Sequence, residues 1–148
     1  MSRTVRSAQW VAGVAAAALL AGAACGAQPV SPADCQVTKP THQGSLLVLP
    51  ADPAESSIKA VLPGAAPPAA GRPYDVRWLV DARKAGADIR FQAAREGTGQ
   101  VYRQTFAAEA PSGQVAQFQA DLVFPARGCW DADVFTGTAL GSMTFSVS

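Results

Sequence analysis

The sequence predicts an all-β fold, an immunoglobulin-like β-sandwich of about seven or eight strands that occupies residues 45–148. Apolar and polar residues alternate with a period of two from residue 45 onward, which is the spacing of a half-buried strand. Eleven prolines and thirteen glycines spread turn signals along the chain. A chain of 148 residues, 49% hydrophobic and 16% charged, suits one domain with a modest core.

Eight short segments carry the strand pattern, and turn signals separate them. They are residues 45–49, 56–62, 74–80, 87–93, 100–106, 115–124, 129–135 and 142–148. A small closed barrel and an uneven α+β fold are the alternative architectures for such a series. The segment 64–73 contains two adjacent prolines, which cannot lie inside a stable helix, so we expect an unusually long loop there.

Two details of the strand pattern are specific enough to test. The alternation in 115–124 shifts phase near Asp121, which indicates a β-bulge. Gly137 and Gly141 lie between the last two segments, which predicts a C-terminal hairpin with both glycines in its turn.

The N-terminus has the organisation of an export signal. Arg3 and Arg6 precede 14 residues, Val11 to Ala24, that carry no charge or polar side chain and end in small residues. This is the pattern of a secretory signal peptide, assigned to residues 1–24. The alternative is an uncleaved membrane helix, although the apolar run is short for a span of roughly 20 residues.

The residues "LAGAAC" resemble a bacterial lipoprotein box, in which small residues precede a cysteine that receives lipid. The resemblance implies lipidation of Cys25 and attachment to the bacterial membrane through an N-terminal lipid anchor. Such boxes more often place leucine at the position of Gly22, so ordinary cleavage and secretion is the alternative. The polar, proline-containing stretch after the cysteine predicts a flexible tether over residues 25–44.

Export also bears on the two remaining cysteines, Cys35 and Cys129. Thiols oxidise outside the cytoplasm, and neither cysteine belongs to a CxxC motif, so we expect a disulfide between them rather than a reactive thiol or a metal ligand. Removal of residues 1–24 leaves ten basic and eleven acidic residues. Such a charge balance gives no basic field for nucleic acid.

The alternation along each predicted strand indicates which large side chains point into the core. Trp78, Trp130 and Phe145 fall on the apolar phase of their segments, so we expect them in the structural core. Cys129 falls on the opposite phase from Trp130. The "GCW" motif therefore indicates a structural pair, a core tryptophan beside a cysteine that holds the incoming N-terminal segment against the sheet edge.

The C-terminal segment "FQADLVFPARGCWDADVFTGTALGSMTFSV" resembles a group of uncharacterised secreted proteins and lipoproteins of bacteria whose immunoglobulin-like sandwich ends in "FPxxGCW", a glycine-containing turn and a "TF" strand. More distantly, it is similar to the terminal hairpin of periplasmic domains of the FixH and YtkA type. The resemblance implies the fold more than any function.

The sequence contains no pattern of residues that predicts an enzyme or a cofactor site. His42 lies in the predicted tether without a second ligand nearby, and no nucleophile elbow or phosphate loop is present. Asp121, Asp131 and Asp133 lack the spacing of a calcium loop. We therefore expect no catalytic, cofactor-binding or metal-binding residue.

Two classes of function remain from the sequence. The first is a non-catalytic lipoprotein module of the cell envelope that binds another protein or an envelope component; the second is an extracytoplasmic carrier of a small ligand or metal. Tyr74, Tyr102 and Trp78 are the candidate binding aromatics, with Trp78 favoured for the core.

Overall fold

The structure, a computed structural model, describes residue 31 and residues 34–109 and 113–148. The described chain is all-β, and a short 3-10 helix, Ala54–Ser56, separates the second and third strands. The strands are β1 (Thr41–Gln43), β2 (Leu46–Pro50), β3 (Ile58–Leu62), β4 (Tyr74–Asp81), β5 (Asp88–Arg95), β6 (Val101–Ala107), β7 (Val115–Leu122), β8 (Gly128–Thr136) and β9 (Ala139–Val147).

The strands form two antiparallel sheets that pack into a sandwich. One sheet has the order β1-β2-β3-β4-β7 and the other has the order β6-β5-β8-β9. If β3 to β9 are counted as the seven strands of an immunoglobulin-like sandwich, the first, second and fifth share one sheet, and the third, sixth and seventh share the other. The fourth strand, β6, pairs with the third, whereas the fourth strand of a constant-type domain pairs with the fifth. The predicted β-sandwich is confirmed.

The core lies between the sheets and is built by strand alternation. Trp78 and Trp130 come from opposite sheets and are fully buried, and Phe145 is nearly so. The ring of Phe91 lies within 6.2 Å, centroid to centroid, of the Trp78, Phe124 and Phe145 rings. Each buried aromatic removes a large apolar surface from water, so this cluster supplies much of the drive to fold.

All eight predicted strand segments correspond to observed strands, β2 to β9, but two details are wrong. β7 pairs with β4 in unbroken register through Asp121, so no bulge lies there. The inward positions of β7 include alanines, and these small side chains obscured the alternation. Gly141 is paired with Val134 inside β9, and the hairpin turn consists of Gly137 and Thr138.

The segment 35–40, named here the N-terminal strap, is fastened to the four-stranded sheet. Cys35 and Cys129 form a disulfide with their Cα atoms 5.4 Å apart. The Thr38 N–H donates to the Thr144 carbonyl over 3.2 Å, and the Thr144 N–H donates to Thr38 Oγ1 over 2.9 Å.

The folded chain therefore begins before residue 45, inside the segment predicted as a tether, and β1 extends it. β1 escaped prediction because its three residues are polar and exposed. The predicted signal peptide, 1–24, and Cys25 lie outside the described residues.

Candidate functional site

The three aromatics singled out from the sequence are packed rather than presented to a partner. Trp78 is fully buried. Tyr74 is half-buried, its hydroxyl donates to the Ala66 carbonyl over 3.3 Å, and burial raises its pKa. Tyr102 packs against Phe91, and its hydroxyl accepts a 2.9 Å hydrogen bond from the Val123 N–H. Burial raises the Tyr102 pKa, and the hydrogen bond from Val123 opposes this shift.

A different aromatic, Phe135, lies on the outer face of the four-stranded sheet. It stands opposite Arg90 on β5 and opposite Leu140 on β9. Leu140 is 51% exposed, the highest value among the exposed large hydrophobics of the described chain. Arg90, Phe135 and Leu140, together with Gln92, are named here the Phe135 face. A shallow groove with a volume of 340 Å³ runs from Arg90, Gln92 and Phe135 of this face to Arg103 and Thr105 on β6.

The Phe135 face carries an arginine, Arg90, that has no partner among the residues the structure describes. Arg103 donates from Nε to Gln92 Oε1 over 2.8 Å, whereas the Arg90 guanidinium makes no hydrogen bond or ion pair within the described residues. A half-buried aromatic ring, an exposed leucine and a guanidinium that has no partner among the described residues therefore stand side by side. Aromatic residues and arginine are the side chains most enriched among the strongly contributing residues of protein interfaces.

Sequence reasoning assigned the outer phase of β8 but drew no conclusion from Phe135. Asp131, Asp133 and Phe135 share that phase, and two carboxylates before an aromatic ring make it look like a solvated face. The usable signal was the ring itself, because a phenylalanine on an outward phase leaves apolar surface in water. Leu140 gave no such signal, because the sequence placed it between the predicted strands.

A second concave site lies beneath the N-terminal strap. It is an apolar pocket of 140 Å³ that is open to solvent, named here the strap cavity, between the strap, β2, β9 and the loop 64–73, named here the proline loop. Leu47, Leu49, Leu62 and Phe145 line it from the strands, and the half-buried Tyr74 closes one wall.

The residues considered for metal binding are not brought together. His42 is exposed on β1, and Asp121 lies in the other sheet from Asp131 and Asp133. Within the described ranges, no three His, Cys, Asp or Glu side chains are grouped so that they could hold a metal ion.

The "GCW" motif is structural in its contacts. Cys129 is buried and disulfide-bonded, and Trp130 donates from Nε1 to the Ala126 carbonyl over 2.9 Å. The part of the chain that the structure describes has no helix of the length and apolarity needed to cross a membrane. The chain matches no protein-family model, no curated protein and no solved structure.

Proposed function

We propose that this protein is a non-catalytic, membrane-anchored extracytoplasmic module that binds another protein or an envelope component through the Phe135 face. The N-terminal signal features and the lipoprotein box at Cys25 support the anchor. The disulfide between Cys35 and Cys129 supports an oxidising compartment, because disulfides are rare in proteins of the cytosol.

The observation that carries the proposal is the separation of the anchored end from the Phe135 face. The disulfide fixes the incoming chain at Cys129, near the start of β8. Phe135 lies six residues further along the same strand, about 20 Å away at 3.3 Å per residue. The Phe135 face therefore lies at the far end of the sheet from the strap, where a tethered domain offers it to a partner.

The partner-binding proposal is tested by variants on the two sheets. Phe135→Ala and Arg90→Ala are compared with Leu46→Ala, because Leu46 is 45% exposed on the five-stranded sheet. Each tagged variant is expressed in the cells that naturally make the protein, and it is then cross-linked and purified. The bound proteins and glycans are quantified by mass spectrometry. Truncation of a central interface side chain costs about 2 kcal/mol or more, so we expect at least a tenfold loss with Phe135→Ala and none with Leu46→Ala. Equal recovery from both variants would mean that the Phe135 face is not the contact.

The anchor is tested separately by intact-mass measurement of protein extracted in mild detergent. A chain that begins at Cys25 and carries acyl additions supports the anchor. An unacylated mass contradicts the anchor and leaves the Phe135 face as the surface of a secreted protein.

The strap cavity favours a second candidate function, carriage of a small apolar ligand. Its volume of 140 Å³ and its apolar walls suit a ligand of about the size of benzene, which would lie in the pocket with one side open to solvent. Benzene should then raise the unfolding midpoint of the wild-type protein and raise that of Leu47→Phe less, because Leu47 is a half-buried residue of the pocket wall and a larger ring there takes up space in the pocket. An equal response of the two proteins to benzene would rule out the cavity as the site.

A further inference from the structure

The edge of β6 that faces away from β5 carries a row of backbone groups that have no partner in the described part of the chain. Arg95 and Gln100, and Ala87 and Ala108, are joined by hydrogen bonds that fix the phase of the β5–β6 ladder. In an antiparallel pair, alternate residues direct both backbone groups toward the partner strand. The even-numbered residues of β6 therefore bond to β5, and the odd-numbered residues direct N–H and C=O away from it. These outward residues are Val101, Arg103, Thr105 and Ala107, and their outward groups make no backbone hydrogen bond within the described chain.

The other sheet edges of the described chain are shorter or partly occupied. β1 has three residues, and β9 is met by Asp52, by the strap and by the proline loop. The β7 edge receives one hydrogen bond, from the Glu109 N–H to the Gln117 carbonyl. β6 has seven residues, contains no proline and carries one charged side chain, Arg103. Arg103 is therefore the one charged residue that guards this edge, which has no proline and is longer than β1.

We propose that β6 pairs with β6 of a second copy of this chain, antiparallel and about a two-fold axis at Gln104. In this register, Arg103 faces Thr105 of the partner subunit and Val101 faces Ala107 of the partner subunit, so apolar residues meet at both ends. A two-fold axis at Arg103 would instead place two arginines directly opposite each other, which is unfavourable.

The same register also pairs the inward side chains of the edge. Tyr102 and Phe106 point toward the core side of β6 and are half-buried in the single copy. With the axis at Gln104, Tyr102 stands opposite Phe106 of the partner subunit. Cross-strand aromatic pairs are among the stabilising pairs of antiparallel sheets, so both faces of the joined strands favour this register.

The dimer is expected to be weak and reversible. An edge-to-edge contact of one strand per copy buries less than the roughly 800 Å² per partner of a standard interface. Confinement of anchored copies to a membrane raises their effective concentration and would favour pairing there. The pairing uses backbone groups of β6, whereas the Phe135 face is formed by side chains of β5, β8 and β9; the two sites adjoin at Arg103 and Thr105, which border the groove.

Amide hydrogen exchange on the purified full-length chain in mild detergent tests the pairing. Between about 20 µM and about 1 mM protein, we expect exchange at residues 101, 103, 105 and 107 to slow by about tenfold, and exchange at 102, 104 and 106 to stay constant. Sedimentation should show a dimer over the same range. Odd-numbered amides that exchange equally fast at both concentrations, with a constant monomer mass, would overturn the proposal.

A matched pair of variants separates main-chain pairing from a side-chain effect. Thr105→Pro removes an outward N–H without touching the β5 ladder, and proline is tolerated on edge strands. Thr105→Ala keeps the N–H. We expect Thr105→Ala to dimerise like the wild type and Thr105→Pro to remain monomeric at about 1 mM, with its β5 amides still protected as proof of folding. Equal dimerisation of the two variants would overturn strand pairing.

The register is tested by cysteine cross-linking in a Cys25→Ser background. Facing residues of a non-hydrogen-bonded pair have Cα atoms about 4.5 Å apart, which suits a disulfide. Gln104→Cys should therefore cross-link to itself under mild oxidation, and Arg103→Cys should not. The reverse pattern would overturn the axis at Gln104.

Discussion

The two outer strands of the four-stranded sheet, β9 and β6, differ in what lies beside them. Along β9, Ser142 exchanges two backbone hydrogen bonds with Asp52, and Thr144 bonds to Thr38 of the strap. Ser148, which follows β9, donates to the Pro68 carbonyl and accepts from the Ala70 N–H. The outward groups of β6 have no such partners within the described residues.

This difference shows where distant parts of the chain are joined. Asp52 and Ser142 are 90 residues apart, and Thr38 and Thr144 are 106 apart. The β9 side is thus held by contacts of long sequence separation, whereas β6 is held to β5 by a local hairpin. Substitutions that break contacts should therefore lower the free energy of unfolding most on the β9 side and least on the β6 side.

The largest expected effect comes from loss of the disulfide. The Cys35→Ala, Cys129→Ala double variant releases a loop of 94 residues, and we expect the free energy of unfolding to fall by about 2 to 5 kcal/mol. Guanidinium denaturation of this variant and of wild type with and without reductant measures the change. Local amide exchange should quicken at Thr144 and remain unchanged in β6. An unchanged denaturation midpoint would contradict the importance given to the strap.

The second prediction concerns the close approach of chain onto β9. A Cβ added at Gly141 would lie 2.5 Å from Ala51 Cβ and 3.0 Å from Ser56 Oγ. We expect Gly141→Ala to destabilise the fold by about 1 to 3 kcal/mol, because the covering segment would have to move. Gly64→Ala is the control, since no atom lies within 4 Å of its added Cβ. Similar thermal unfolding midpoints for the two variants would show that the segment 51–56 can move away from β9 with little loss of stability.

A matched pair of threonines compares the two edges directly. Thr38→Val removes the hydroxyl that accepts the Thr144 N–H, and we expect a loss of about 1 kcal/mol. Thr105→Val makes the same substitution on the β6 edge. It should alter the free energy of unfolding by less than about 0.5 kcal/mol at low protein concentration. Urea denaturation of both variants gives the comparison, and a larger loss for Thr105→Val would reverse it.

The smallest effect is expected away from both edges, at the end of β4. Hydrogen bonds from the Arg83 side chain and backbone lower the Asp81 pKa from 3.8 to about 2. Because the folded-state pKa is the lower one, the stabilisation is present above about pH 4 and is lost as the pH falls toward 2. Arg83 is 88% exposed, so the Asp81→Asn variant should differ only slightly from wild type at pH 5. As the pH falls toward 2, the gap between the two unfolding midpoints should narrow; a gap that widens with acid would contradict this sign.

Local patterns in the sequence predicted the strands but not their long-range attachments. Alternation located β4 and β5 because each strand buries every second residue against one core. It could not reveal that Thr38 returns to β9, since a polar residue near prolines carries no signal of a partner 106 residues away. The Phe135 face was missed for a related reason, because Arg90 and Phe135 meet only through the β5–β8 pairing.

The disulfide also decides how the domain carries mechanical load. Tension applied to the chain before Cys35 passes through a covalent bond to Cys129 and enters β8 directly, so the 94-residue loop is bypassed. β8 is paired on both sides, by β5 and β9. Tension that enters β8 at Cys129 is therefore shared between two ladders of hydrogen bonds, one on each side of the strand. A pull from the N-terminal end therefore meets the domain at a strand that is paired on both sides.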